Sequence, residues 1–564
     1  MFNAISRRDF MKGMMVSGVA VGSASLLAAC GSSSSEDTSS SEDTSSSEDT
    51  SSSESTSSSE DTSSSESTEE TTTEVDMTPL SVTISLPSDE THVDQNDQYD
   101  QLCSDLNDYL QMDITWVWEE STTYYDSLAL AIVAGDVADV MVVGKTETFL
   151  QAFQEGLFWD LTDYLDDYDN LSTIPEATRA NCSYNGAVFA LPRSRTLARN
   201  GLGYRIDWLN NLGLAEPTTL DAWEDMLYAF TYNDPDGNGV NDTVGMFLDS
   251  WSGVWDIIFC WFGVPNEWGI DDNGDLIYKY MTDEYKTAAA EMRDLYQQGL
   301  INCGSNGIAD YLDVSAGGAR NDGLRAQIGG CGVQVLDDLR KVQTYFVEQG
   351  IATDDDDVLF TLQGYVDTGY GPLCLPTTGT NNYIAISTKN ITTEAQLRRV
   401  LQMLNDMCDG ECLNLIEYGW EGLTYDLDEN GYVVLYDTDQ LNAAGVASST
   451  YNNGFNQVLA YFTAEENARP VTTESGTTAI TALENQLYEE DIEYCVTNYG
   501  ASYTSDTYTN VGSTIADTFI GALNDYIHGT IDDSAFEESI NTWWNAGGEA
   551  ITAEMNELYH AVEG

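Results

Sequence analysis

YRIDWLNNLGLAEPTTLDAWEDMLYAFTYNDPDGNGVND, residues 204–242, joins a helix pair to an acidic loop. The loop sets Asp234, Asp236, Asn238, Gly239 and Asp242 in the order D-x-D-x-N-G-x-x-D. Oxygen side chains at loop positions 1, 3, 5 and 9, with Gly at position 6, match the first nine positions of an EF-hand. Val240 at position 7 would give its main-chain carbonyl, so one structural Ca2+ is the expected cofactor. Position 12 departs from the pattern, because Gly245 stands where a bidentate Glu belongs. Thr243 or water would have to complete the shell, and a plain acidic turn without metal is the competing reading. In the first half, Asp207-Trp208-Leu209 and Leu212-Gly213-Leu214 read as a helix and its stop. Thr219 is placed as the N-cap of the next helix, whose apolar stripe is Trp223, Met226, Leu227 and Phe230.

Working outward, strand and helix signals alternate. Leu80 to Leu86 has the period of a strand, and Tyr99, Leu102, Cys103, Leu106 and Leu110 form a helical stripe. Ile114–Trp118 and Asp139–Val143 are further strands, separated by a helix from Tyr124 to Ala134 that Gly135 stops. This β-α-β-α-β order predicts an α/β fold with a mostly parallel sheet covered by helices. Tyr184-Asn185-Gly186 is a turn and Asp272-Asn273-Gly274-Asp275 a hairpin turn. Gly329-Gly330-Cys331-Gly332 lacks the Lys-Ser/Thr of a phosphate loop and is expected to open a helix from Val333 to Val347.

Several patches together resemble the extracellular solute-binding lipoproteins of ABC importers, in particular their large sugar-binding branch. They are D-W-L, L-G-L and P-T-T between Asp207 and Thr219, D-P-D-G-N-G from Asp234, Gly135 to Val140, Glu155 to Leu161, Tyr418 to Tyr425, and Met555 to Tyr559. The resemblance implies a periplasmic-binding-protein-like type II fold: two lobes with a ligand cleft and a hinge. Residues 78–205 and 375–425 would form lobe 1, and 206–374 with 426–564 lobe 2. It implies a monomeric binding protein, not an enzyme, that captures a small-molecule solute outside the cell and passes it to an ABC permease.

The N-terminus reads as an export signal. Ser6-Arg7-Arg8-Asp9-Phe10-Met11-Lys12 fits a twin-arginine pattern, and the uncharged stretch from Gly13 ends in Leu27-Ala28-Ala29-Cys30, a lipobox. Cys30 is therefore the expected lipid anchor, which places the mature chain on the outer face of the cytoplasmic membrane. Residues 31–77 repeat SSSEDT and SSSEST, with too few apolar side chains to bury a core, and read as a disordered tether.

Charge narrows the partners. The chain has 95 Asp and Glu against 20 Lys and Arg, a formal net charge of −75. That disfavours nucleic acid and anionic membrane surfaces, and strongly anionic ligands unless a local basic pocket gathers them. Three His residues, His92, His528 and His560, show no hydrolase or zinc spacing. Nine cysteines besides Cys30 cannot all pair, and Cys408 and Cys412 read as core.

Sugars offer C–H faces that stack on aromatic rings, and the chain holds 12 Trp and 32 Tyr. Trp251 and Trp255, four apart after a predicted strand, would share a helix face at the cleft. Trp420 and Glu421 lie in the family-like turn, and Arg193 and Arg195 are rare cations near the hinge. These six are the expected ligand contacts, and a carbohydrate, an oligosaccharide by the size of the chain, is the expected solute. A peptide or other polar-solute receptor, a surface glycoside hydrolase and an adhesin are the competing readings.

Overall fold

The computed structural model describes residues 75–563, apart from 89–96, 355, 430, 447–453, 461, 463, 465–466 and 468–477. The export signal, Cys30, His92 and nearly all of the tether lie outside the described residues. Nine strands build the two main sheets. In chain order they are β1 (Ser81–Ser88), β2 (Asp113–Glu120), β3 (Val140–Val143), β4 (Leu191–Ser194), β5 (Asn200–Arg205), β6 (Val244–Met246), β7 (Gly329–Val335), β8 (Phe360–Gln363) and β9 (Thr380–Ile386).

The first sheet has the order β2-β1-β3-β9-β4. Alternation in β1 buries Val82, Ile84 and Leu86, and the strand pairs in parallel with β2 and β3. Parallel neighbours need crossovers, which the helices Asp97–Leu110 and Ser121–Ala134 supply. Gly135 ends the second of these in the left-handed region, at φ 64°, as its position in the sequence predicts. β9 runs antiparallel to both β3 and β4.

The second sheet has the order β8-β5-β7-β6, with β5 antiparallel to both neighbours and β7 parallel to β6. The glycine run at 329–332 is here a buried strand, and the helix begins only at Leu336, so the expected helix opening is corrected. Packing explains the glycines. A Cβ on Gly330 would lie 2.3 Å from the Phe230 ring, and one on Gly329 2.3 Å from Phe247. Phe230 belongs to the helix Leu220–Tyr232, where Thr219 caps the end by accepting from the Ala222 N–H and Trp223, Met226 and Leu227 are also buried.

Two segments cross between the sheets side by side. Arg195 N–H donates to the Gly379 carbonyl at 2.9 Å, Thr377 N–H to Leu197 at 2.9 Å, and the Asn200 amide to Leu375 at 2.9 Å. Two boundaries shift from those expected. β5 pairs only within the second sheet, so lobe 2 starts at Asn200. Phe455, Val458, Leu459 and Ala460 are buried in the core of the first lobe, and Asn170 accepts from Ala464 N–H and the Asn467 amide. Apolar burial of Phe455 to Ala460 and the hydrogen bonds of Ala464 and Asn467 thus hold these residues on lobe 1. The helix Ala479–Glu490 then packs on lobe 2, tied by the Arg340–Glu484 ion pair. All nine cysteines other than Cys30 are thiols, with Cys408 and Cys412 in the lobe 1 core.

Candidate functional site

A cavity of about 780 Å³ opens between the lobes. This is within the range of small-molecule sites, and lobe boundaries are where such sites concentrate. Lobe 1 contributes Lys145, which follows the carboxyl end of β3 through Gly144, where an open α/β sheet offers its ligand crevice. Gln151 and Gln154 come from the helix Glu147–Gln154, and Asn181 and Tyr184 from the chain entering a short hairpin. The hairpin turns on Asn185 and Gly186, both at positive φ.

Lobe 2 contributes a second hairpin and the segment 498–513. Trp268 and Tyr278 face each other across the strands Trp268–Ile270 and Leu276–Tyr278, with ring centroids 4.9 Å apart. Tyr278 stacks on Trp543 at 4.9 Å, which fixes the cavity wall to the C-terminal helices. Gly500 passes so close to Trp268 that a Cβ would lie 2.4 Å from its ring. Glu554, on the last helix, accepts from the hydroxyls of Ser505 and Thr507 at 2.5 Å each and from the Thr507 N–H at 3.0 Å. Burial works against its charge, but these hydrogen bonds outweigh it and hold the Glu554 carboxyl below its usual range. The wide helical turn they anchor, Tyr508–Gly512 ahead of the helix Ser513–Ile527, presents Tyr508, 49% exposed, and Asn510 at the cavity.

The lobes touch at the cavity rim. Thr504 N–H donates to the Asn185 side-chain oxygen at 3.1 Å. The Lys145 ammonium donates to the carbonyls of Asn181 at 3.2 Å, Ser183 at 2.9 Å and, from lobe 2, Ala501 at 3.4 Å. Burial pushes its pKa down to about 8. Below the wall, Lys279 sits between Asp256 at 2.7 Å and Glu267 at 2.6 Å, and the Tyr278 hydroxyl donates to Glu267. Burial opposes a charge on Lys279, but the two carboxylates outweigh it and raise its pKa.

None of the six expected ligand contacts lines this cavity. Trp255 is corrected to a core residue: it is 2% exposed and meets Tyr311 edge to face at 5.5 Å. The helix starts only at Gly253, so Trp251 precedes it and does not share a face with Trp255. Trp251 is 40% exposed, folded over Gly253. Trp420 packs partly against the lobe 1 core and donates its indole N–H to Asp105 at 2.8 Å, while Glu421 is exposed beside it. Arg193 is 7% exposed with its Nε donating to the Asn456 carbonyl, and Arg195 donates to the Ser194 carbonyl.

In the acidic loop the Asp234 carboxylate accepts the N–H groups of Asn238 and Gly239 at 3.0 Å each. The Asn238 amide nitrogen donates to Asp236 at 2.9 Å and Asp242 at 3.2 Å, so one donor already draws these carboxylates together. Thr243 is buried and its hydroxyl donates to the Phe230 carbonyl at 2.8 Å. Gly245 has backbone of Leu227 2.4 Å from where its Cβ would be, so no Glu fits at position 12. Among the described residues, no three His, Cys, Asp or Glu side chains gather closely enough to hold an ion. The donors suit a hard cation in kind, and the loop would have to contract on it.

Comparison with known proteins fits this architecture. The sequence profile described as bacterial extracellular solute-binding protein matches residues 99–306. The chain is 30% identical over 462 residues to lipoprotein LipO of Bacillus subtilis (strain 168), covering 81% of this chain and 88% of LipO. The chain belongs to the bacterial extracellular solute-binding protein family. It has the two-lobed type II periplasmic-binding-protein fold of that family. It is also 26% identical over 462 residues to the polygalacturonan/rhamnogalacturonan-binding protein YtcQ of the same strain, covering 80% of this chain and 85% of YtcQ. A solved HMO-binding solute-binding protein of Bifidobacterium longum infantis superposes with a TM-score of 0.62 at 18% identity, covering 86% and 99% of the two chains. An EF-hand mutant of FusA from S. pneumoniae, with fructo-nystose, superposes with a TM-score of 0.55 at 15% identity, covering 86% and 99%.

In this solute-binding protein, sequence reading passed over Lys145, Tyr184, Trp268 and Tyr508. Two signals were available. Lys145 lies two residues beyond the apolar strand expected at Asp139–Val143, and YGASYTSDTYTN, residues 499–510, sets three tyrosines among small polar residues.

Proposed function

We propose that this protein captures an oligosaccharide at the outer face of the cytoplasmic membrane and delivers it to an ABC permease. The observation that carries this reading is the cavity between the lobes. Rings of Tyr184 and Tyr508 and the side-chain amides of Gln151, Gln154, Asn181, Asn498 and Asn510 face it from both sides. Aromatic faces suit the C–H surface of a sugar, and amides pair with its hydroxyls. The names of YtcQ, the HMO-binding protein and the FusA complex give all three a glycan ligand, which supports the same class here. Trp251 at 40% exposure is kept as an outlying contact, while Trp420, Glu421, Arg193 and Arg195 serve the walls of lobe 1 and the crossing. Monomeric action suffices, because both walls come from one chain.

The lipobox at Cys30 supports lipid anchoring, as does the name lipoprotein given to LipO. The twin-arginine pattern supports export of a folded chain. Asp234, Asp236, Asn238, Asp242 and the Val240 carbonyl would hold one calcium ion, whose role is to fix the loop after the helix Leu220–Tyr232. The EF-hand named in FusA supports that assignment.

The test is a thermal-shift screen of the full chain against neutral and acidic glycans and a peptide set. A rise in Tm with a glycan, abolished by Tyr508→Ala, is the expected result. A rise with peptides alone would reject the carbohydrate reading.

A further inference from the structure

We infer that the solute is an uncharged glycan and that the cavity excludes uronate-bearing chains. This rests on the reading of the cavity as the glycan site and adds the charge class of the ligand. The ionisable side chains on the lining, tyrosines aside, are Lys145, Glu147, Glu267 and Asp506. One ammonium thus meets three carboxylates, of which Glu267 is already paired with Lys279 and Glu147 and Asp506 are not. An ammonium has three hydrogens to donate. Those of Lys145 already meet the carbonyls of Asn181 and Ser183 in lobe 1 and Ala501 in lobe 2, so a ligand carboxylate could recruit it only by displacing one of these acceptors. Burial lowers its pKa to about 8.

The neighbouring cations are also committed. Lys279 is held by Asp256 and Glu267 behind the wall. At the crossing, Arg199 pairs with Asp337 at 2.8 Å, and within lobe 2 Arg320 on the helix Ala319–Arg325 pairs with Asp249 at 3.6 Å. Arg193 and Arg195 bond to main-chain carbonyls and do not line the cavity. Glu147 and Asp506, by contrast, are exposed on opposite lobes of the cavity and can accept sugar hydroxyls. A uronate placed between them meets like charge from both sides, at a cost that deters binding. The point separates this chain from a relative: YtcQ is named for polygalacturonan and rhamnogalacturonan, so the family itself does not dictate a neutral ligand.

The experiment is calorimetric titration of the full chain, in 150 mM salt, with fragments four to six sugars long. Neutral manno-, xylo-, galacto-, fructo- and lacto-N-oligosaccharides are set against alginate and galacturonate fragments. The expected result is binding of at least one neutral fragment, with every uronate fragment at least about 100-fold weaker. A uronate fragment that binds as tightly as the best neutral one would overturn the inference and leave the glycan reading standing. Failure of every glycan would remove the glycan reading and the inference with it. A second arm uses the charge reversal Glu147→Lys with Asp506→Lys, both at exposed positions. It should bring uronate binding into the measurable range. Continued absence of uronate binding, with neutral binding retained, would overturn the electrostatic exclusion.

Discussion

Trp255 and Tyr508 are both large aromatic residues, and their surroundings assign them opposite work. Trp255 is enclosed by the lobe 2 core, whereas Tyr508 projects its ring beside Gly512 at the cavity. Trp255→Ala is expected to cost about 3–5 kcal/mol of stability, with the affinity of the surviving folded protein unchanged. Tyr508→Ala is expected to weaken glycan binding by about 1–3 kcal/mol as a lost stacking anchor. Its cost in stability should stay within about 0.5–1 kcal/mol. Denaturant unfolding and calorimetric titration of the two variants separate the roles. The acidic loop gives a second residue-scale test. Asp236→Ala should abolish the gain in Tm that calcium gives the wild type over chelator, because an ion that binds only the native state stabilises it. Equal melting of the wild type with calcium and with chelator would reject the metal. The loop pattern was legible because oxygen spacing is local. That Gly245 cannot yield to Glu, and that Thr243 donates to Phe230, depend on contacts the sequence does not display.

At the scale of elements, alternation and helical period marked β1, β2 and β3 and the helices between them and after Thr219 to within a few residues. The glycine run of β7 misled because glycine favours neither state. What fixed it as a strand was Phe230 and Phe247 pressing on it, a tertiary demand. The helix expected to carry both Trp251 and Trp255 starts at Gly253, and a two-residue shift in a boundary was enough to place one ring outside and the other in the core. The crossing segments allow a direct test. Gly379 has φ 70°, and its Cβ would lie 2.1 Å from the Thr178 hydroxyl. Gly379→Ala should therefore lower stability by more than about 1 kcal/mol, through strain and steric conflict together. Unfolding of this variant at the wild-type denaturant midpoint would show that the crossing tolerates a side chain.

For the whole molecule, charge and burial set the response to pH. Burial lifts the Asp491 carboxyl to about 6. Burial and the adjacent Glu224 lift Glu291 to about 7. Both values lie above those of the unfolded chain, so the native state holds protons that the unfolded state releases. Their contribution is complete below the unfolded pKa values, near 4, and is lost as pH rises through 6 and 7. Self-repulsion at a formal net charge of −75 has the same sign. Tm should fall from pH 5 to about pH 7 and then level off, and a rise over pH 5 to 7 would contradict the assignment. The two-lobed plan was legible from the order of elements and from the family-like patches. The binding wall was not, because it joins Lys145 and Tyr184 to a segment more than 300 residues further along the chain. Only the folding of the C-terminal helices against the Trp268 hairpin brings these together. Hydrogen exchange with and without a bound glycan tests that placement most directly. Protection is predicted in two segments, residues 145–154 of lobe 1 and 498–513 of lobe 2, rising together on binding. Protection elsewhere, with both segments unchanged, would contradict the account.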